Sequence, residues 1–466
     1  MPEAALASRV SAAPSGAAEL DFSDSPALAG LFGVRASLSK VRAVLGRLVL
    51  SLDARLAAQL NEIIEAPAFA RLEAAWRGAL SVVTEAEGAA GVKVRLLDLS
   101  WDALSDDLNL AADLRRTALH RLIGQRELDT LGGEPFGLIM VEHALSASLE
   151  SSYDEFFTAR LLADLGEAVA CPFVLGVADD FFGETDAGWL TDRRRIGAIL
   201  ASEDYAGWRA LRAAPSARFL GLVLPRIQLR GRYHDHDVGF RFHQKPSESA
   251  GLWGNGASLF VRSVIGEFRR AAWFGFLKLV GDTPGIGAVP GPDRSPTPRC
   301  AVPTPRARAR LNREIAGFYA EEGFIPIAES PSSNALYFVG NRSVTACNGD
   351  ARLEVLTQLQ SVLIACRLIH YVKVQLRALI GQVKTAQECE LTLNNWIEQY
   401  VSNLAEATPD ILARYPLKAA RVLVRAAAAG SARFRVEILL KPQYQIDHVT
   451  GDISLMTDVG ADVRVA

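Results

Sequence analysis

The sequence predicts a mixed α/β fold: layered sheets with flanking helices, a helical N-terminal region and a C-terminal antiparallel sheet. Three observations carry that reading. Short apolar runs at Val92–Leu99, Phe136–Val141, Phe173–Val177 and Phe219–Leu224 alternate with helical spans near Asp102–Ile123 and Tyr153–Ala168, a spacing that implies α/β layers with some parallel pairing. Near the start, Leu38, Val41, Leu45, Leu48, Leu52, Leu56, Leu60 and Ile63 recur at threes and fours, the stripe of an amphipathic helix. Near the end, Phe434, Val436, Ile438 and Leu440 alternate with Arg435, Glu437 and Leu439, the period of a strand with one buried face.

Taken in order, residues 1–30 are rich in Ala, Ser and Pro and are expected to be disordered in isolation. Residues 31–90 form the helical region, in which Pro67 should end the first helix. A second helix, Phe69–Val83, carries Leu72, Trp76 and Leu80 on one face. The stripe over Leu45, Leu48 and Leu52 fits either a core-facing helix pair or a helix that docks on a second chain. Residues 91–281 form the α/β region, with Gly251–Val280 returning to helix around Leu259, Ile265, Phe268 and Trp273. Residues 282–308 hold seven prolines and predict an exposed linker or loop. Residues 309–466 complete the chain with helices at Ala307–Gly323, Leu353–Gly381 and Ala386–Leu404, then the terminal sheet. Its strands cover Ala420–Val424, Phe434–Leu440 and a shorter stretch at Ile453, Ser454 and Leu455. A terminal strand leaves unpaired N–H and C=O groups that must be covered, blunted or paired with another chain. Phe434, Val436, Ile438, Leu440, Ile453, Ser454 and Leu455 are therefore candidate partner-interface residues, with the strand backbone left open for pairing.

Composition excludes several classes. A net charge of −3 over 466 residues gives no general attraction to nucleic acid or anionic membrane, and Arg193-Arg194-Arg195 reads as a solvated face. The five cysteines, Cys171, Cys300, Cys347, Cys366 and Cys389, show no C-x-x-C spacing and suggest neither a disulfide framework nor a zinc knuckle. With no basic and apolar leader and no run of eighteen apolar residues, the chain reads as a soluble cytoplasmic protein.

No catalytic constellation emerges. Gly-Lys does not occur, so a P-loop is absent, and Gly285-Ile286-Gly287 has no following helix to make a dinucleotide loop. The strongest enzyme candidate is His234-Asp235-His236-Asp237 with His243 nearby. His234 and His236 on one side of a strand could hold zinc for a metal-dependent α/β enzyme, whereas a polar surface loop accounts for the same residues. His370 lies in an apolar helix and reads as structural. Asp106-Asp107, Asp179-Asp180 and Glu321-Glu322 are adjacent in sequence and diverge in direction, which makes poor acid/base pairs. No cofactor is implied.

From about Val92 onward, an ordered series of short motifs resembles the large subunit of the type VI secretion contractile sheath, the TssC/VipB family. The series is Leu131-Gly132-Gly133-Glu134-Pro135-Phe136-Gly137, Gly221-Leu222-Val223-Leu224-Pro225-Arg226, Trp253-Gly254-Asn255, Gly323-Phe324-Ile325-Pro326, His370-Tyr371-Val372-Lys373, Leu393-Asn394-Asn395-Trp396-Ile397 and Arg414-Tyr415-Pro416-Leu417. The chain departs from the family pattern in the proline-rich stretch and in Leu138–His143, where an acidic-aromatic continuation is expected. The resemblance implies a structural protein that pairs with a small sheath subunit (TssB/VipA-like). It also implies helical stacking with further copies of itself around an Hcp-like inner tube. A baseplate and a ClpV-like AAA+ ATPase are the remaining implied partners; the ATPase would grip an N-terminal helix, for which Pro26–Phe32 is the candidate.

Overall fold

Two strands that are apolar at every position, Phe173–Val177 and Leu220–Leu224, set the architecture, because a strand buried on both faces needs a helical layer on each side. The computed structural model describes residues 19–148, 152–233, 240, 242, 244, 251–277, 289, 306–329, 336–379, 385–402, 409–426, 434–443 and 453–459. The elements in order are β1 (Glu19–Asp21), α1 (Pro26–Phe32), β2 (Arg35–Ser37), α2 (Leu38–Glu65), α3 (Pro67–Ala86), α4 (Trp101–Asn109), α5 (Ala118–His120), β3 (Ile139–Leu145), α6 (Glu155–Val169) and β4 (Phe173–Val177). There follow α7 (Arg193–Ala201), α8 (Ala206–Ala213), β5 (Leu220–Leu224), β6 (Ile227–Arg230), β7 (Leu252–Gly254), α9 (Ala257–Ala271), α10 (Arg313–Glu321), β8 (Ile325–Glu329) and β9 (Leu336–Phe338). The C-terminal part comprises α11 (Ala351–Leu356), α12 (Leu359–Leu379), α13 (Ala386–Ile397), α14 (Pro409–Arg414), β10 (Leu417–Ala426), β11 (Phe434–Pro442) and β12 (Ile453–Val459). No helix among the described residues is long and apolar enough to cross a membrane.

The chain forms two compact units, residues 1–73 with 231–252, and residues 74–230 with 253–466. In the first unit, β1 and β2 pair antiparallel, with Leu20 opposite Ala36. Phe32, Ala36 and Val41 make a small core over which Leu20 and Phe22 close. Regular structure therefore starts ahead of residue 30, at Glu19; Met1–Ala18 lie outside the described residues. The Ser37 Oγ accepts the Lys40 N–H to start α2, and the helix stops just before Pro67, as expected.

In the second unit a five-stranded sheet runs in the order β3-β4-β5-β8-β9. The first four strands are parallel, with Ile139 opposite Phe173, Phe173 opposite Leu220 and Val223 opposite Ile325. The last pair, β8 with β9, is antiparallel. Alternate side chains divide the core between the two faces. Phe173, Leu175, Leu220, Leu222 and Leu224 pack with Leu162 of α6, Trp208 of α8 and Tyr319 of α10. Val174, Val223, Ile325 and Ile327 pack with Phe260 of α9 and Leu363 of α12.

Several sequence expectations are corrected. Val92–Leu99 joins no ladder among the described residues; Lys93 and Arg95 instead ion-pair with Glu134, and Arg95 with Glu127. The span Asp102–Ile123 is broken after Asn109, because the Asp107 carboxylate turns to accept the Ala118 and Leu119 N–H groups at the start of α5. In α3 the core face is Ala74, Gly78, Ser81 and Val82, whereas Leu72, Trp76 and Leu80 are exposed. Small residues there suit close approach: Val82 packs on Val261 and Ile265 of α9, and Glu85 pairs with Arg262 and Arg269. The span Leu353–Gly381 divides at Thr357-Gln358, where the backbone bonds to the segment 341–343 through Ser343 N–H to Thr357 O and Leu359 N–H to Asn341 O. α10 starts only at Arg313, since Arg306–Arg308 pairs along Arg226–Gln228. Apart from Val289 and residues 306–308, the proline-rich stretch lies outside the described residues.

Candidate assembly surfaces

Helix α2 spans 28 residues and buries only Val41, Asn61 and Ile64. The predicted stripe faces outward: Leu45 is 47% exposed, Leu48 38% and Leu52 56%. Val49, Leu56 and Ile63 extend the same exposed row. Among the described residues the row is therefore not a core face.

The terminal sheet has the order β10-β11-β12 and is antiparallel throughout. Val422 and Val424 of β10 and Val436, Ile438 and Leu440 of β11 are buried in the core shared with α12 and α13. Those β11 side chains therefore belong to the chain's own interior. The β11 backbone, read from sequence as open for pairing, is bonded on both sides because β11 is the middle strand. Open pairing capacity moves to the sheet's outer strands.

The two outer strands differ. Along β10, helix α13 lies against the edge. Its start is fixed by a capping box between Thr385 and Glu388, and its apolar face sinks Leu393 and Ile397 into the core. That placement aims Asn394 at β10. Asn394 Nδ2 donates to Val422 O (2.8 Å) and to Glu390 O (2.8 Å), and its Oδ1 accepts the Val422 N–H (2.9 Å). Glu390 Oε2 accepts the Val424 N–H at 2.9 Å. At the head of the strand, Ser402 N–H bonds to Leu417 O. On the other side β12 has no second strand neighbour among the described residues. Phe434, Ile453, Ser454 and Leu455 are placed on these strands by backbone register, Ser454 opposite Leu439 and Leu455 opposite Ile438.

Register fixes which β12 groups point outward. The outward groups of Val422 are taken by Asn394, so Val422 and Ile438 form a non-hydrogen-bonded pair across β10 and β11. Ile438 then bonds directly with Leu455, and the Ser454 amide and carbonyl face away from β11.

The remaining family-like motifs have structural roles. Asn255 Nδ2 donates to His143 O (3.1 Å) and Val141 O (3.4 Å), and its Oδ1 accepts the Ala257 N–H (2.8 Å) at the start of α9. It thereby ties the irregular register of β3 to a helix. Gly176 leaves room for that amide, since a Cβ there would sit 2.3 Å from Asn255 Oδ1. Arg226 pairs with Asp179 and donates to Trp253 O, and Arg308 also pairs with Asp179. Gly323 has φ +89 and lies against Val344 O, where a side chain has no place.

The chemical candidates among the described residues have the following surroundings. His370 is buried, lies 3.4 Å from Val169 O and has its pKa pushed down to about 4 by burial. Asp107 caps α5, Asp106 accepts the Tyr153 hydroxyl and Glu322 pairs with Arg212. Cys171, Cys347, Cys366 and Cys389 are buried and free, and burial pushes the Cys366 thiol up to about 12. Among the described residues no three His, Cys, Asp or Glu groups cluster as a metal site. His234, His236 and His243 lie outside the described residues. Sequence reasoning missed Glu390 and did not assign a role to Asn394; the only signal was the motif Leu393–Ile397.

The model of the EvpB/VC_A0108 tail sheath N-terminal domain matches residues 46–345, and that of the tail sheath gpW/gp25-like domain matches residues 348–459. The chain belongs to this family of contractile tail sheath proteins and is a type VI sheath large subunit. It is 26% identical over 430 residues to the type VI secretion system sheath protein TssC1 of Pseudomonas aeruginosa, covering 88% of this chain and 84% of that protein. The crystal structure of a sheath tail protein from Desulfitobacterium hafniense aligns with a TM-score of 0.35 at 8% identity, over 69% of this chain and 56% of that one.

Proposed function

We propose that this chain pairs with a small sheath subunit of the TssB/VipA kind, and that the heterodimers polymerise helically around an Hcp-like inner tube whose ejection they drive by contraction. The observation that carries the reading is the one-sided finish of the terminal sheet, with β12 at its edge and Ser454 presenting its backbone outward. Strand addition supplies main-chain hydrogen bonds between protomers. A head-to-tail interface that does not close generates a helical filament. Such links keep subunits joined while they rotate and slide, so contraction needs only a small free-energy difference per protomer, multiplied over many, released from a metastable extended state. The exposed row Leu45, Leu48 and Leu52 on α2 offers a second chain an apolar face. Asp106, Asp107, Asp179 and Glu322 are each engaged by a structural partner and His370 is buried, which gives the enzyme reading no support.

The test is coexpression with a small sheath subunit, with co-purification and electron microscopy as readouts. Wild type should form tubules. Ser454→Pro removes an outward donor and leaves the β11 ladder intact. It should retain the heterodimer and fail to make long tubules. Tubules of normal length from that variant would refute the role given to β12.

A further inference from the structure

The sheet that is open at β12 is closed at β10 by side chains. We propose that Asn394 and Glu390 act as a plug on the β10 edge, so that strand addition to the terminal sheet is restricted to β12. This rests on the reading of β12 as an assembly strand and adds the device that selects it. An unprotected edge on each side of a three-stranded sheet would recruit strands in two directions, and proteins suppress unwanted edges by covering or blunting them. The cover used here is a chemical copy of a strand. A carboxamide has the donor and acceptor of a peptide group, and Asn394 presents both to Val422, accepting its N–H and donating to its C=O. The second Nδ2 hydrogen goes to Glu390 O one turn back. All three hydrogen-bonding positions used by the amide are thus fixed in one orientation. Two residues along, where the next outward N–H appears, Glu390 Oε2 takes it.

The plug is held from behind. Leu393 and Ile397 flank Asn394 on α13 and are fully buried, and Cys389 beside Glu390 is buried as well. A strand arriving at β10 would have to displace both side chains from the Val422 and Val424 groups they hold. Among the described residues no strand pairs with the outer edge of β12. The asymmetry gives the sheet one direction of growth, which a helical polymer with a single repeating contact requires.

The experiment uses the chain coexpressed with the small subunit. In the double variant Glu390→Ala/Asn394→Ala, hydrogen–deuterium exchange of the Val422 and Val424 amides should rise by about tenfold each, the equivalent of one lost hydrogen bond. The freed edge should cause lateral fusion or clumping of tubules, which the neighbouring exposed substitution Asn395→Ala should not. Adding Ala420→Pro, whose N–H points out of the same edge two residues before Val422, should reverse the fusion. Smooth, separate tubules from a double variant with raised exchange would overturn the proposal, as would unchanged exchange. If the double variant does not co-purify with its partner, Asn394→Asp decides. It keeps the acceptor for the Val422 N–H but sets an oxygen against Val422 O, so it should fuse tubules more weakly, and separate tubules would again overturn the plug. Ser454→Pro in parallel keeps the two ideas apart: its failure to shorten tubules sinks the β12 reading, whereas unfused tubules in the Asn394 variants sink only the plug.

Discussion

Gly176 and Asn255 are the pair through which packing in the central sheet is most sharply testable. Gly176→Ala places a methyl carbon 2.3 Å from Asn255 Oδ1 and 2.7 Å from its Cγ. The amide cannot swing aside cheaply, because it is tied to His143 O, Val141 O and the Ala257 N–H. The backbone of Gly176 is not in the left-handed region, so the cost lies in the collision alone, typically 1–3 kcal/mol or about that for overpacking. Asn255→Ala removes the amide and leaves the Ala257 N–H and the His143 carbonyl without their partner, at about 1–3 kcal/mol for each buried group. The single variants should therefore lose roughly 1–3 and 2–6 kcal/mol. In the double variant the methyl occupies space that the amide vacated, so its own cost should largely vanish. That gives a favourable coupling of about 1–3 kcal/mol, within the range for residues in contact. Urea unfolding of the purified chain at low concentration, followed by tryptophan fluorescence, measures all four corners. Additive losses would refute the account of why glycine stands at position 176.

Three further outcomes are expected. Burial holds His370 neutral, with its pKa lowered to about 4; since the unfolded imidazole titrates near 6.5, the stability it confers is complete above pH 6.5 and is lost as pH falls toward 4, about 3 kcal/mol in all. His370→Gln should flatten that limb of the stability–pH curve, and an unchanged acid limb would contradict the assignment. Replacing Leu45, Leu48 and Leu52 together with Ser should make the isolated chain less prone to aggregate and weaken capture by the small subunit. At about 1 kcal/mol per half-exposed leucine, the loss is about a hundredfold in Kd, and undiminished capture in a pull-down would show that α2 docks nothing. His234→Ala/His236→Ala should leave assembly and secretion unchanged and the purified protein free of stoichiometric zinc; lost secretion at normal expression would restore the metal-site reading.

Much of the fold was legible because single residues force it. Pro67 ends α2, the uninterrupted run Phe173–Val177 can only be an interior strand, and the alternation Val436, Ile438, Leu440 gave the inner face of β11. What stayed hidden depends on neighbours remote in sequence. Val92–Leu99 has the composition of a strand, but a strand exists only with a ladder partner, and here the segment is pinned by Lys93 and Arg95 instead. Periodicity placed Leu72, Trp76 and Leu80 on one face of α3 without saying which face is covered. The covered one is defined by Gly78 and Ser81, whose small size permits close packing and leaves no hydropathy signal. Likewise, the sequence showed an edge strand near the terminus, but that Asn394 closes one edge follows from a pairing 28 residues apart.

In the proposed assembly this sheath subunit joins its neighbours through β12. A map of assembled tubules at a resolution that separates strands tests it most directly. The expected map shows a strand from a neighbouring chain beside Ile453–Val459, bonded at Ser454, with α13 still seated on β10. A resolved tubule in which the outer edge of β12 faces solvent would contradict it.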